Sequence, residues 1–599
     1  MPNMQIPSVK LQFLVASLLH QWYHVSATPL SAYALVHQSP GSVFDYVIVG
    51  AGPAGLTLAN RLTEDSSVSV AIIEAGTFYE DVVGNQSTVP GYDYHYNGKS
   101  PNETIPYVDW GFITTPQAIG GSTGLNFMAY AHTSRGAMRK WADEVGDQSY
   151  TYENVVEYYR KSMNFTPPDM ETRLANSTPS YDENDTATGG PLDVIYPAYS
   201  QSWSTWVAKA LEAVGMTNTN SFINGNLIGS AWQLDTVQHH NGYRESAETA
   251  FLTPYLSRPN LSLFNGTLAE RIIFANGTVA SGVEVTTANT TYTLTAKREV
   301  IVSGGVFQSP QLLQVSGIGP AAVLEKLGIP VVADRPGVGH GMNDHVFFGI
   351  GHKVNVVTST MLSYGDNLEI AIAEFNANGT GPLSSPGGDF CGNEKIPEEL
   401  RANFSSATNE SMFLSYALDH LWPADVLTTN AALAEFPDDW PEIQYLVLPS
   451  YVGDLESTSI SAPRDGYNYA TILATLVAPS SRGNLSISSS RMSDQPLINP
   501  NWLTEQSDIE LVISAFKRLR QIFASAPLTE NVLIGDVQTD EEIYEQIKKS
   551  FNAMYHAAST CKMGKPDDEY AVVDTNGRVY GVENYMLAEK IADAIKNGN

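Results

Sequence analysis

Residues Phe44 to Gly76, FDYVIVGAGPAGLTLANRLTEDSSVSVAIIEAG, restrict the possible folds more than any other stretch of the chain. The apolar run Tyr46 to Val49 reads as a strand, and Gly50, Gly52 and Gly55 follow it in G-x-G-x-x-G spacing. Each glycine meets a different need: Gly50 the tight turn, Gly52 the approach of a pyrophosphate to the backbone, Gly55 close packing of helix on strand. A helix from Ala54 to about Thr63 then points free N–H groups and a partial positive charge at that pyrophosphate. A second strand, Val68 to Ile73, ends on Glu74, where a carboxylate grips a ribose hydroxyl and repels a 2′-phosphate, which disfavours NADP. Glycine triplets are common in turns, but here strand, helix and acid agree, so the stretch predicts a dinucleotide site. It leaves FAD and NAD both open.

At 599 residues the chain exceeds one ordinary domain, and 43% apolar residues are enough to fill more than one core. The balance of 33 basic against 64 acidic residues, a net of −31, argues against nucleic acid or an anionic membrane as partner. Lys10 precedes the apolar run Leu11 to Leu19, and Val25-Ser26-Ala27 resembles a signal-peptidase site, so residues 1–27 read as a signal peptide. No segment reaches the roughly 18 apolar residues of a membrane span. Asn-x-Ser/Thr acceptors for N-glycans, among them Asn85, Asn102, Asn164, Asn176, Asn260, Asn276, Asn289, Asn378, Asn403, Asn409 and Asn484, agree with a secretory route. Cys391 and Cys561 are the only 2 cysteines, so no disulfide framework holds the fold, and their pairing stays open. Outside the cell there is no nicotinamide pool to exchange with, which favours a retained FAD over NAD.

The polar, aromatic stretch from Gly76 to Trp110 lacks periodicity and reads as a surface excursion. A second glycine turn, Gly120 to Asn126 (GGSTGLN), would let backbone lie against a flavin. Helices are expected over Tyr152 to Ser162 and Ser202 to Val214, and strands over Asn260 to Val285 with Asn276-Gly277 as a hairpin turn. Arg298 to Ser303, Gly304-Gly305 and the apolar residues that follow repeat the order strand, glycine turn, helix, and so belong with the nucleotide domain. From Phe347 to Tyr467 a mixed pattern rich in Trp, Tyr and Leu suits a domain that covers a substrate.

Five segments in this order resemble the glucose-methanol-choline (GMC) oxidoreductases. They are the nucleotide fingerprint, GGSTGLN with the later TSRG around Arg135, SPQLLQVSGIG up to Gly319, PGVGHGMNDH from Pro336 to His345, and MYHAASTCKMG from Met554 to Gly564. The resemblance covers nearly all of the chain after the signal. It implies an α/β fold: a doubly wound FAD-binding domain with a second, sheet-and-helix (α+β) substrate domain. The expected division is 44–345 for the FAD domain, with substrate-domain excursions around 160–240, then 346–550 for the substrate domain and 551–599 for a return to the first. It also implies Gly50, Gly52, Gly55 and Glu74 at the ADP half of FAD, with Gly121, Ser122 and Asn126 near the flavin. Choline-oxidase-like members attach the flavin through a His just after the second glycine turn; Gly124 and Leu125 stand there, so noncovalent FAD is expected.

Alcohol oxidation by a flavin needs a base for the hydroxyl proton while hydride leaves the same carbon for flavin N5. A neutral imidazole suits that task near neutral pH. His556 in MYHAASTC matches the family's catalytic histidine, so the expected reaction is oxidation of a small-molecule alcohol, an aryl alcohol or a secondary-metabolite intermediate, with O2 or another electron acceptor. Cys561 is expected to pack rather than react, His345 to be structural near the flavin, and His239-His240 to have no supporting pattern, so no metal is assigned.

Two stretches are shorter than the family pattern. Pro116 to Ile119 runs almost directly into the second glycine turn, and Glu583 is followed at once by Asn584 and Tyr585. The second gap removes a segment that in the family carries an acidic residue and a His or Asn partner for the base. A gene model that skips coding sequence, a family member with impaired redox chemistry, or a non-redox cyclase or lyase of the versicolorin B synthase kind would each account for it.

Overall fold

The computed structural model describes residues 41–93, 118–401, 404, 436–453, 463–529, 540–581 and 588–596. The expected signal peptide, the acceptors Asn102, Asn403 and Asn409, and the junctions at Gln117 and at 582–585 lie outside the described residues.

The expected βαβ unit forms the centre of the first layer. Strand β1 (Val43–Val49) leads into helix α1 (Pro53–Leu62) and strand β2 (Val70–Ile73). Strands β3 (Leu261–Phe264), β4 (Thr267–Ala275), β5 (Val279–Thr287) and β6 (Thr290–Val302) complete a sheet of order β3-β2-β1-β6-β5-β4. β1 pairs in parallel with β2 and β6, whereas β4, β5 and β6 form an antiparallel meander. Asn276 (φ 51°) and Gly277 (φ 89°) take the left-handed backbone that the hairpin turn requires.

From Tyr46 to Val49 β1 is apolar because both of its faces are covered there, as parallel strands require. Val47 and Val49 pack with Leu312 and Leu313 of helix α2 (Gly305–Val315), while Tyr46 and Ile48 pack with Leu56 and Leu58 of α1. The α1 side is closed by Ile591 and Ala592 from near the other end of the chain.

The second large sheet is antiparallel. It contains strands β7 (Val346–Val354), β8 (Phe390–Glu394), β9 (Ile443–Leu448), β10 (Asn468–Leu476) and β11 (Asn552–Ala553). Their order is β11-β7-β10-β9-β8, with Gly229–Trp232 on the far edge. Helix α3 (Gln506–Ala524) lays Leu511, Ala515, Leu519 and Phe523 against this sheet at helical spacing.

The expected surface excursion after Gly76 is corrected in its described part. Thr77–Phe78 pairs in parallel with Ala118–Ile119, and Phe78 and Tyr79 are fully buried. A two-residue pairing with a partner 41 positions away leaves no periodicity in the sequence. The expected helix Tyr152–Ser162 forms over those residues, and that from Ser202 ends at Ala213.

Candidate active site

The first glycine turn is built from close contacts that no side chain would permit. Gly50 has φ 102°, and a Cβ there would sit 2.4 Å from the Ser303 carbonyl oxygen; one on Gly55 would sit 2.1 Å from the Gly50 carbonyl. Gly52 differs, since the nearest atom to a Cβ there is Gly121 Cα at 4.0 Å, so its backbone faces free space. Gly52 caps α1 without a side-chain hydrogen bond, and whereas Leu56 N donates to Gly52 O (3.0 Å), the amides of Ala54 and Gly55 precede the first helical hydrogen bond. They present a site for an anion.

Glu74 closes the other side. Its Oε2 accepts from Ala51 N and its Oε1 from Gly76 N, both at 2.9 Å, while burial raises its pKa. Each oxygen keeps a lone pair for a ribose hydroxyl. The second glycine turn abuts the first backbone to backbone: Gly120 N donates to Ala51 O (2.8 Å), and a Cβ on Gly121 (φ 55°) would sit 2.8 Å from Gly52 Cα. The set Gly50, Gly52, Gly55, Glu74 and Gly121 therefore forms one cradle that fits the ADP half of FAD.

Ser122 and Asn126 are exposed on the second turn. Asn126 Oδ1 is already engaged, accepting from Met128 N (3.1 Å) and Arg244 Nη1 (2.8 Å). Sequence reasoning missed Arg244. It is buried beneath the turn and donates from Nη1 to the carbonyls of Asn126 (2.6 Å) and Thr123 (3.2 Å), and from Nε to that of Ser87 (2.6 Å). Burial lowers its pKa, yet a guanidinium stays charged at working pH. The loop after β2, the second turn and the stretch before the helix Ala247–Phe251 thus meet on one cation.

His556 is set in place by a short antiparallel pairing across distant parts of the chain. Asn343 exchanges backbone hydrogen bonds with Ala558 (3.0 and 2.8 Å), and Met554 N donates to His345 O (2.8 Å). Asp344 Oδ1 accepts from His556 N at 2.9 Å, and the two Nδ1 atoms of His345 and His556 lie 3.0 Å apart. Thr560 Oγ1 donates to Val306 O (2.5 Å), which ties this segment to the start of α2, directly after the Ser303 that supports Gly50. The His556 ring is open to solvent but closely surrounded by protein, and desolvation lowers its pKa. Burial and then the neighbouring His556 push His345 down to about 3, while burial pushes Asp344 up to about 6. Both rings are neutral near pH 7.

His345, expected to be structural near the flavin, thus stands at hydrogen-bond distance from His556. A contact across 211 residues has no local signature, although the Asp-His ending of PGVGHGMNDH was the place to look. Cys391 and Cys561 are both free; burial pushes each thiol up to about 12, and Cys391 Sγ donates to Gln233 Oε1 (3.1 Å). Among the described residues, Asp193, His239 and His240 are the group closest to a metal-ligand arrangement. Their ring and carboxylate atoms are already engaged: Asp193 Oδ2 with His239 Nδ1 (2.7 Å), Asp193 Oδ1 with Asn164 Nδ2 (2.8 Å) and His240 Nε2 with Asn241 Nδ2 (3.1 Å).

Comparison with known families decides the assignment. The sequence pattern of GMC oxidoreductases matches residues 44–347 and again 479–589. The chain belongs to the GMC oxidoreductase family. Among GMC relatives, a glucose-methanol-choline family oxidoreductase of Annulohypoxylon moriforme is 49% identical over 97% of this chain and 98% of its own. Patulin synthase of Aspergillus clavatus is 42% identical over 92% of this chain and 88% of its own. Versicolorin B synthase of Aspergillus parasiticus is 37% identical over 94% and 86%. The first alignment runs over 628 residues, more than the 599 of this chain, so the relative carries internal residues that this chain lacks. An FAD-dependent oxidoreductase from Chaetomium thermophilum shares the fold with a TM-score of 0.78 at 25% identity, covering 93% of this chain and 99% of that one.

Proposed function

We propose that the protein is a secreted, N-glycosylated enzyme that oxidises an alcohol, an aryl alcohol or a secondary-metabolite intermediate, to the aldehyde or ketone with noncovalent FAD as hydride acceptor. The observation that carries the reading is a neutral, desolvated His556 held at both its backbone and its ring nitrogen, in a segment tied to the cradle that fits FAD. His556 removes the hydroxyl proton at Nε2, and the surrounding protein lowers its affinity for a proton from bulk water. Bound FAD supplies the hydride acceptor. Gly124 leaves no side chain for a covalent flavin link, because a Cβ there would lie 2.8 Å from the Tyr79 ring. O2 or another acceptor regenerates the oxidised cofactor.

Anaerobic addition of an alcohol panel, benzylic and aliphatic, to the purified holoenzyme tests this. Bleaching of the flavin absorbance is expected, and His556→Ala should slow it by about 10²- to 10⁴-fold. The rival reading is a non-redox cyclase, which the versicolorin B synthase relative favours. Turnover of a cyclising substrate while the flavin remains oxidised would overturn the redox reading. Glycan mapping tests the secretory reading: Asn176 and Asn378 are exposed, whereas Asn260 Nδ2 donates to the carbonyls of Thr63, Asp65 and Val68. Occupancy is expected at the first two and not at Asn260.

A further inference from the structure

We propose that His345 is the positioning residue for His556, accepting a hydrogen bond from His556 Nδ1–H and so holding the imidazole in the tautomer whose Nε2 keeps a free lone pair. The inference rests on the reading of His556 as the base.

The geometry allows one proton between the two Nδ1 atoms, which lie 3.0 Å apart. With neutral rings there are two arrangements. If His345 donates, the proton of His556 sits on Nε2, and the nitrogen that must take up the alcohol proton is already occupied. If His345 accepts, Nε2 of His556 is free and His345 carries its own proton on Nε2. Proton uptake selects between them. Once His556 has taken the alcohol proton at Nε2, both of its nitrogens bear hydrogen, and its Nδ1–H needs an acceptor. A proton on His345 Nδ1 would then face another N–H at hydrogen-bond distance, so only the accepting arrangement survives the step. It also requires no proton movement between the rings: the alcohol O–H bond breaks, the Nε2–H bond forms, and the Nδ1 proton stays on His556.

The surroundings are built for this. Asp344 Oδ1 holds the His556 backbone N–H at 2.9 Å, and Met554 N holds the His345 carbonyl at 2.8 Å, so the backbone that carries each ring is held in place, one by a buried carboxylate and the other by strand pairing. The ring planes are inclined at 75° with centroids 5.2 Å apart, and the two Nδ1 atoms are the facing edges. Asp344 and His345 are the titratable groups that face His556 from the opposing segment among the described residues. His345 is desolvated and remains neutral to acid pH, so it stays an acceptor wherever the enzyme works. The arrangement gives the base a partner that does not depend on the stretch shortened after Glu583.

Two measurements test the proposal. Histidine-selective 15N labelling of the holoenzyme, with the 12 histidines assigned through His345→Asn and His556→Asn, reads the tautomers directly and needs no substrate. His556 should show a protonated Nδ1 and an unprotonated Nε2, with the reverse at His345; the opposite pattern overturns the proposal. Steady-state oxidation of 4-methoxybenzyl alcohol with dichlorophenolindophenol as acceptor gives the second readout. His345→Leu is expected to lower kcat/KM by about tenfold or more and move the acid limb of its pH profile to lower pH, because the imidazolium loses its acceptor. His345→Asn, whose amide oxygen accepts, should recover most of the rate and return the limb. Unchanged rate and pH profile in His345→Leu overturn the positioning role. If His556→Ala is itself fully active, the base reading fails; if that variant is inactive while His345→Leu is normal, only the pairing fails.

Discussion

At the scale of single residues, the cradle depends on charges and contacts that tolerate no near substitute. Glu74 presents two acceptors to two backbone donors, so Glu74→Gln would turn an N–H2 toward Ala51 N–H or Gly76 N–H. The expected loss is about 1–3 kcal/mol of FAD binding, read as a smaller rise in melting temperature on adding FAD to the apoprotein. Gly50→Ala places a Cβ on the Ser303 carbonyl and forces a left-handed residue, so it should destabilise the protein by about 1–3 kcal/mol in chemical denaturation. The glycine spacing is legible from sequence because Gly50, Gly52 and Gly55 fall within six residues, although the Ser303 carbonyl that excludes a side chain at Gly50 lies far along the chain. Arg244 was not legible: its three carbonyl acceptors come from Ser87, Thr123 and Asn126, and only the fold brings them to one guanidinium.

At the scale of elements, the antiparallel pairing of Asn343 to Val346 with Ala553 to Ala558 determines where the base stands. Ala558→Pro deletes the N–H that donates to Asn343 O, and should cost about 1–3 kcal/mol of stability while raising the mobility of His556. A lower melting temperature together with slower flavin bleaching would register both effects. The periodic elements could be read in advance: the helix Tyr152–Ser162 and the parallel strands around β1 are long enough for their apolar spacing to show. Pairings of two or three residues are not, which is why Phe78 and Tyr79 were expected at the surface and why the contact of His345 with His556 was not foreseen. The motif match singled out His556 but carried no information about what faces it.

At the scale of the whole molecule, proton linkage sets the conditions under which the fold is strongest. Burial, reinforced by Glu248, pushes Glu80 up to about 9, and burial with the nearby Asp193 charge pushes Glu245 up to about 8. In the unfolded chain both ionise near pH 4.3. Between those values the folded state holds protons that the unfolded state has released, so stability falls as pH rises, and above pH 7 this continues to about 9. His132 and His352, lowered to about 4 by burial, act on the other side and remove stability as pH falls below roughly 6.5. Melting temperature should therefore peak between these limits and decline from pH 7 to 9, with Glu80→Gln flattening the decline. Cys391 is buried and Cys561 half-buried, so a thiol reagent should leave Cys391 unlabelled in the native protein and label 2 sites after denaturation. The order of strands in the first sheet carries a further consequence for synthesis. Gly50 leaves the ribosome early, but the Ser303 hydroxyl that supports its carbonyl is separated from it by 253 residues, and β6 must pair beside β1 before the turn has its final shape. At roughly 5–20 residues per second, that wait is on the order of 10–50 s. A nascent chain halted before Ser303 would hold the whole glycine fingerprint and still be unable to retain flavin.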